Sequence, residues 1–153
     1  FLGLIPVGVY TAAPMLVEKM HIDICTRDDI PYRNDAEYFL QPWKTGYTGA
    51  DRFAAEALEL VQENALIYAD ITTVAPLLLA RQIKGKRLDV AIVSGAFNSE
   101  NAPTFDAQSL DQLFKDRPIY VVSTKPGYCP EFLLDNYDFT REGILWQVAK
   151  SQE

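Results

Sequence analysis

Residues 65–93 read ALIYADITTVAPLLLARQIKGKRLDVAIV and decide the fold class. The apolar run at 65–69 is typical of a strand buried on both faces. A helical segment follows, which Thr72 and Thr73 are placed to cap. The second apolar run, at 88–93, predicts another buried strand. Because a helix supplies the crossover between them, the two strands are predicted to be parallel, as in a βαβ unit.

The flanking segments extend this alternation of helix and strand. Thr48 is placed to cap a helix before the first strand, and Asp106 a helix after the second one. Residues 119–123 predict a third buried strand, and residues 144–148 a terminal strand, antiparallel at the sheet edge. The sequence therefore predicts an α/β fold that is three-layered and Rossmann-like, with a short, mainly parallel sheet of three to four strands and flanking helices.

The chain falls into three stretches by composition. Residues 1–20 form an apolar N-terminal segment, residues 21–47 an extended connector rich in Pro, Asp and aromatic residues, and residues 48–153 a single α/β domain. A length of 153 residues with 48% hydrophobic residues is enough for one buried core. The composition therefore favours one α/β domain with an N-terminal extension.

The N-terminal segment carries no charged residue at positions 1–16. Sixteen apolar residues fall short of the roughly 20 that span a bilayer. Two interpretations stay open on composition alone. The segment is the tail of a longer membrane helix, or it packs on the domain and is bent by Pro6 and Pro14.

Charge argues against nucleic acid as a partner. The formal net charge is −7, and no run of Lys and Arg is interleaved with aromatic residues. The densest basic stretch, Lys84, Lys86 and Arg87, lies where the helix between the first two strands is predicted to end. Basic side chains there are expected to complement the exposed carbonyls of that helix end.

The sequence offers no catalytic residue, metal site or cofactor site. The only histidine, His21, belongs to no recognised triad arrangement and to no metal-binding spacing. Neither a dinucleotide-binding nor a P-loop glycine motif occurs. Cys25 and Cys129 form no C-x-x-C motif, and the sequence leaves open whether they are bridged or remain free thiols.

Polar residues at the predicted strand ends are the default ligand site, because ligands of parallel sheets gather at the carboxyl ends of the strands. A sugar hydroxyl suits this edge better than a phosphate, since an acidic side chain stands in the first loop. Capping of the next helix is the commoner role for that acidic residue. The candidates are Asp70, Thr72, Thr73, Ser94, Gly95 and Ser123.

The connector supplies a second set of candidates, for surface contacts: Tyr32, Arg33, Trp43 and Lys44. An arginine holds carboxylates or phosphates, and a tryptophan stacks on a sugar ring or a cation. The plainer interpretation is that Arg33 pairs with a nearby carboxylate, while the aromatic residues pin the connector onto the domain.

Several segments together resemble a known family. They are PYRND at 31–35, QPWK at 41–44, GADRFA at 49–54, ADITTVAPLL at 69–78 and RLDV at 87–90. The chain resembles the soluble C-terminal region of a bacterial multispanning membrane protein family of unknown function, itself similar to the GT-C type protein O-mannosyltransferases. The resemblance covers most of the chain, although no single motif is diagnostic.

This resemblance implies that residues 1–16 are the end of the last transmembrane helix and that the domain lies on the extracytoplasmic side. The acidic catalytic residue of GT-C enzymes lies in an early loop of the membrane portion, so this chain would not transfer sugar by itself. Its implied role is accessory: binding a glycan or sugar, the rest of the parent membrane protein, or a neighbouring subunit.

Two other functions stay open. One is a small, soluble, cytoplasmic α/β enzyme or ligand-binding domain, acting on a sugar or phosphorylated substrate at the strand ends. The other is a purely structural domain whose aromatic connector docks on another subunit. The first requires a polar pocket at the strand ends, and the second requires a continuous exposed apolar patch near Trp43 or at the N-terminus.

Overall fold

The computed structural model describes residues 4–25, 27 and 29–150. The chain divides into two compact units, Phe1–Ala50 and Asp51–Glu153, which we call the N-terminal unit and the C-terminal unit.

The N-terminal unit contains two helices. The first, α1 (Ile5–Lys19), has a proline in its first turn, where a missing N–H costs nothing, and a second proline, Pro14, inside. The second, α2 (Asp35–Leu40), begins at Asn34, whose side-chain oxygen accepts a hydrogen bond from the backbone N of Glu37 at 3.1 Å. Throughout the described part of the chain, every helix is too short or too polar to cross a membrane.

The C-terminal unit holds the alternating elements that the sequence predicted. Its helices are α3 (Gly49–Leu60), which begins just before the unit, α4 (Val74–Leu78), α5 (Leu110–Asp116) and α6 (Glu131–Leu134). A π-helical turn, Leu79–Ile83, continues α4. The strands are β1 (Leu66–Tyr68), β2 (Ala91–Val93), β3 (Ile119–Val121), β4 (Tyr137–Glu142) and β5 (Leu145–Lys150).

The five strands form one mixed sheet in the order β2-β1-β3-β5-β4. Strand β1 lies between β2 and β3 and pairs in parallel with both, which places Tyr68 opposite Val93 and Val121. β5 pairs antiparallel with β3 on one side and with β4 on the other. The α/β class and the parallel βαβ unit are thus confirmed.

The sheet has five strands instead of the predicted three to four, and it is mixed instead of mainly parallel, with two parallel and two antiparallel strand pairs. The additional strand, β4, reads YDFTRE and leaves most of its side chains partly or fully exposed, so it lacks the apolar run that marks a buried strand. Gly143, with φ of 56°, closes the hairpin from β4 to β5. The predicted edge position of the terminal strand is therefore wrong, because β4 lies outside it.

The core lies on both faces of the three parallel strands, which explains their continuous apolar sequences. Helix side chains that cover the strands share the helical spacing seen in the sequence. The buried set includes Phe53, Leu58, Leu66, Ile67, Val74, Leu77, Ile92, Leu110, Leu113, Ile119, Val121 and Leu133.

Candidate functional site

The carboxyl ends of the three parallel strands lie next to one another. The backbone N of Ala69 donates to the carbonyl of Val93 at 2.9 Å, and the backbone N of Val122 donates to the carbonyl of Tyr68 at 3.2 Å. The loops that begin after β1, β2 and β3 therefore start side by side. These loops carry all six strand-end candidates.

Asp70 is buried, and its carboxylate is held inside its own turn. One carboxylate oxygen accepts from the backbone N of Thr72 at 2.8 Å and from the Thr72 hydroxyl, and the other accepts from the Thr73 hydroxyl at 2.7 Å. The Asp70 carbonyl accepts from the backbone N of Val74 at 2.9 Å. Asp70 thus closes the turn that leads into α4, the capping type of role that its sequence position favoured.

The two threonines act differently from the prediction. Thr73 is the residue that precedes α4, yet its side chain makes no capping bond to that helix. Its hydroxyl instead donates to Asp70, as does that of Thr72. The physical reason is that a buried carboxylate needs donors more than a short helix needs a cap.

Ser94 also uses its polar groups for hydrogen bonds within its own loop. Its hydroxyl donates to the carbonyl of Phe97 at 2.6 Å and accepts from the backbone N of Phe97 at 2.7 Å, while its own backbone N donates to the Asn98 side chain at 3.0 Å. Gly95 is exposed, with open space around it. The loop after β2 is thereby closed on itself.

Ser123 lies buried after β3 and accepts a hydrogen bond from the backbone N of Lys125 at 3.1 Å. Nearby, Tyr68 stacks on Phe105 with ring centroids 5.4 Å apart, and burial raises the pKa of its hydroxyl. The strand ends thus bring the predicted hydroxyls to one edge, where each has a local structural role.

Both cysteines are free thiols, which settles the alternative that the sequence left open. Cys129 is buried, and burial raises the pKa of its thiol to about 12. A thiol that stays protonated at neutral pH is a poor nucleophile and a poor metal ligand. Cys129 therefore belongs to the core.

Sequence reasoning missed Ser99, which lies in the polar loop after β2. Ser99 is buried, its hydroxyl accepts from the backbone N of Ile92 at 2.9 Å, and its own backbone N donates to the Ile92 carbonyl at 2.8 Å. The loop thus folds back on the side of β2 that faces away from β1. A serine in a polar loop carries no signal for such a contact.

In the connector, Arg33 pairs with a local carboxylate, as the plainer interpretation predicted. Its Nε lies 2.5 Å from Asp35 Oδ1, and one Nη donates to the carbonyl of Arg27 at 3.1 Å. The guanidinium also lies over the rings of Tyr38 and Phe39, at 5.4 and 5.6 Å from their centroids. Arg33 therefore organises the connector.

Lys44 caps the C-terminal end of α2. Its Nζ donates to the carbonyls of Gln41 at 2.7 Å and of Tyr38, and also to that of Glu37 at 3.3 Å, which accepts from the backbone N of Gln41 as well. The ammonium also lies 4.9 Å from the centroid of the Tyr38 ring. The sequence did not indicate this capping role.

The two aromatic candidates of the connector differ in their surroundings. The backbone of Tyr32 has a φ of 61° and passes close to Gly49. A Cβ atom on residue 49 would lie 2.2 Å from the Tyr32 carbonyl oxygen, so the close approach requires glycine at this position. Trp43 is 38% exposed and meets Tyr10 of α1 edge to face, with ring centroids 6.2 Å apart. The Trp43 ring thus remains partly available for contacts.

A cleft of about 300 Å³ lies in the N-terminal unit, where the end of α1 meets the start of α2. Its wall includes Glu18, His21, Asp23 and Asn34, and Asn34 donates to the Glu18 carboxylate at 2.5 Å. Within the described ranges, no three His, Cys, Asp or Glu side chains lie close enough together to hold a metal ion.

The most unusual surface in the described residues is that of α1. Pro14 is its buried residue, and its large apolar side chains lie in solvent with exposed fractions from 45% to 68%. Since successive helical residues are about 100° apart, these side chains point in every direction around the axis. They are Leu4, just before the helix, and Ile5, Val7, Val9, Tyr10, Met15 and Leu16.

Comparison of the chain with protein-family models, with curated proteins and with solved structures found no match.

Proposed function

We propose that this chain is an accessory or binding domain of a membrane-bound, glycosyltransferase-like protein and has no catalytic activity by itself. The observation that carries the proposal is the apolar surface of α1, which is exposed around most of the helix, apart from the side where Ala13, Pro14 and Val17 are partly or fully buried. The glycosyltransferase-like part rests on the sequence resemblance alone.

Exposed apolar residues in this number are costly in water. Moving one large aliphatic side chain from water to an apolar medium gains about 1.5–3 kcal/mol. A helix that is apolar on all sides is typical of a buried or membrane-embedded helix, whereas a surface helix of a water-soluble domain has a polar face. Lipid hydrocarbon covers such a helix on every side at once.

The length of α1 fits part of a bilayer. Its 15 residues extend about 22 Å, against about 30 Å for the hydrocarbon core. We propose that α1 forms the end of a longer membrane helix of the parent protein, which would hold the remainder of this chain at the extracytoplasmic surface.

The partner in this proposal is the rest of the parent membrane protein or a neighbouring subunit, and the ligand class is a glycan or sugar. We also propose that the C-terminal unit has a Rossmann-like, three-layer arrangement. The alternative of an independent enzyme at the strand ends has less support, because Asp70 and Ser94 are committed to their own turns.

Vesicle flotation tests the membrane part. With vesicles of uncharged phosphatidylcholine, we expect the chain to float, and we expect Ile5→Glu with Val9→Glu to weaken partitioning by about 100-fold or more, since each buried charge costs about 2.5–3.5 kcal/mol. The matched control is Ile83→Glu with Leu88→Glu, at positions 76% and 62% exposed in the C-terminal unit, which should still float. Failure of the unaltered chain to float, or equal loss in both variants, would contradict the proposal.

A transfer assay tests the absence of catalysis. The chain is incubated with a polyprenyl-phosphate sugar and a peptide acceptor, and we expect no glycosylated peptide. Sugar transfer that is lost in Asp70→Ala would instead establish the strand ends as an active site.

A further inference from the structure

The connector of the N-terminal unit runs alongside α1. At the start of α2, Asn34 donates to Glu18 at 2.5 Å, near the C-terminal end of α1. Beyond the end of α2, Trp43 packs against Tyr10, which lies eight residues earlier in α1 than Glu18. Eight helical residues rise about 12 Å. The connector therefore runs along α1 from the C-terminal end of this helix to the middle of it.

This arrangement sorts the side chains of the unit by polarity along the α1 axis. Charged groups lie at the Glu18 level, where Asp35 and Arg33 form their ion pair close to Asn34. Leu4, Ile5, Val7 and Val9 lie beyond Tyr10, in a stretch with no charged residue. Between these two levels lie aromatic side chains, together with the exposed side chains of Met15 and Leu16.

The aromatic group consists of Tyr10, Tyr38, Phe39 and Trp43. It is not a hidden core, because Phe39 is 53% exposed and Trp43 is 38% exposed. Tyr38 contacts Phe39 with ring centroids 5.1 Å apart, and Trp43 contacts Tyr10 at 6.2 Å. Charged, aromatic and apolar layers in this order are what a protein presents where it passes from water through lipid head groups into hydrocarbon.

Lys44 provides hydrogen bonds to the backbone carbonyls at the end of α2, which suits a position close to lipid. A backbone carbonyl without a partner is costly where water is scarce. The carbonyls of Glu37, Tyr38 and Gln41 at this end of the connector all accept from the Lys44 ammonium. A long stem with a charged tip suits the head-group region.

From this order we propose that the surface of a lipid bilayer crosses the N-terminal unit at the Tyr10–Trp43 pair, with α1 upright and with Phe39 and Trp43 among the lipid head groups. The inference rests on the proposed function, and it adds where the membrane surface lies and which residues contact lipid. The bilayer is the occupant that the charge pattern fits, because hydrocarbon accepts no charge and this end of α1 presents none. A helix lying flat in the interface needs a polar face, which α1 lacks before Glu18.

Tryptophan fluorescence tests the position of the boundary, because the chain contains two tryptophans, Trp43 and Trp146. Trp146→Phe leaves Trp43 as the reporter, and Trp43→Phe leaves Trp146, in β5 of the C-terminal unit, as the control. Each variant is mixed with phosphatidylcholine vesicles whose acyl chains carry bromine either near the head group or near the bilayer centre. Flotation is measured on the same samples.

We expect Trp43 emission to shift to shorter wavelength on binding, with quenching at least about twofold stronger by the bromines near the head group, since tryptophan prefers that depth. The emission of Trp146 should stay unchanged. Chains that float while Trp43 emission does not change would overturn this inference and leave membrane attachment standing, whereas chains that do not float would overturn both.

Two further outcomes would overturn the inference. Stronger quenching by bromine at the bilayer centre would place the connector inside the hydrocarbon. Trp43 emission that depends on protein concentration and not on lipid would show that a second copy of the chain covers this surface.

Discussion

Arg87 shows how a single side chain links distant parts of the C-terminal unit. Its guanidinium donates to the carbonyls of Leu58 at 2.6 Å, of Val61 at 3.0 Å and of Gln62 at 2.8 Å, which are left unpaired at the end of α3. We predicted that the basic stretch around Arg87 complements the end of the helix before it. Arg87 instead donates to carbonyls at the end of α3. β1, α4 and the π-helical turn lie between α3 and Arg87 in the chain.

Asp89 holds Arg87 in place, and its titration should be visible in stability. It accepts from two guanidinium nitrogens at 3.0 and 2.9 Å, and the hydrogen bond from Arg87 lowers the pKa of its carboxyl from 3.8 to about 2. Because the folded pKa lies below the unfolded one, this contribution is complete above about pH 4 and is lost as the pH falls towards 2.

We therefore expect Asp89→Asn to lower the free energy of unfolding by about 1 kcal/mol at pH 7, a value reduced because the pair is partly exposed to solvent. The difference from the unaltered chain should shrink between about pH 4 and pH 2 in urea titrations. Asp138→Asn, on exposed β4, is the matched control. A difference that is independent of pH would show that the Arg87 ion pair contributes nothing.

Among the elements, β2 depends on a loop for its outer side. β2 forms one end of the sheet, so its outward N–H and C=O groups lack a strand partner in the described part of the chain. Ser99 supplies both a hydroxyl acceptor and an N–H donor to Ile92. The loop after β2 thus replaces a strand and protects this edge.

Removal of the Ser99 hydroxyl should leave the Ile92 N–H buried without a partner. We expect Ser99→Ala to lower the free energy of unfolding by about 1–2 kcal/mol in urea titrations. Hydrogen exchange at the Ile92 amide should also become faster. Thr104→Ala, in the same loop but exposed, should change stability by less than about 0.5 kcal/mol. Equal effects of the two substitutions would contradict the assigned role of Ser99.

At the scale of the whole molecule, the hydrophobic core belongs to the C-terminal unit, whereas the N-terminal unit presents apolar side chains to its surroundings. One cluster in the C-terminal unit joins Leu66 of β1, Leu113 of α5, Val121 of β3 and Val148 of β5. In the N-terminal unit, the described residues of α1 bury little besides Pro14. The buried core and the proposed membrane contact therefore belong to different parts of the chain.

This division makes the C-terminal unit testable by itself. We expect a fragment of residues 48–153, which keeps Thr48 before α3, to unfold in one cooperative transition in urea and to stay at the bottom of a flotation gradient. The full chain, measured in parallel, should float. A fragment without a cooperative transition would show that the N-terminal unit is needed for the fold, and a fragment that floats would move the membrane contact away from α1.

Much of the fold follows from local pattern. The apolar runs at β1, β2 and β3 and the helix between β1 and β2 are continuous in sequence, so their type and parallel pairing were predictable. β4 was not, because its polar residues satisfy no buried pattern and its pairing comes from β5 beside it. At the candidate site, the pairing of Arg33 with a carboxylate two residues away was predictable for the same local reason.

The sequence by itself determined the α/β class, the βαβ unit, the absence of charge at residues 1–16 and the position of polar residues after each parallel strand. Only the tertiary structure decided that Arg87 donates to the carbonyls at the end of α3 and that Ser99 covers the outer side of β2. The physical reason is that backbone periodicity and apolar runs are local properties, whereas a buried polar group takes whichever partner the folded chain brings within reach.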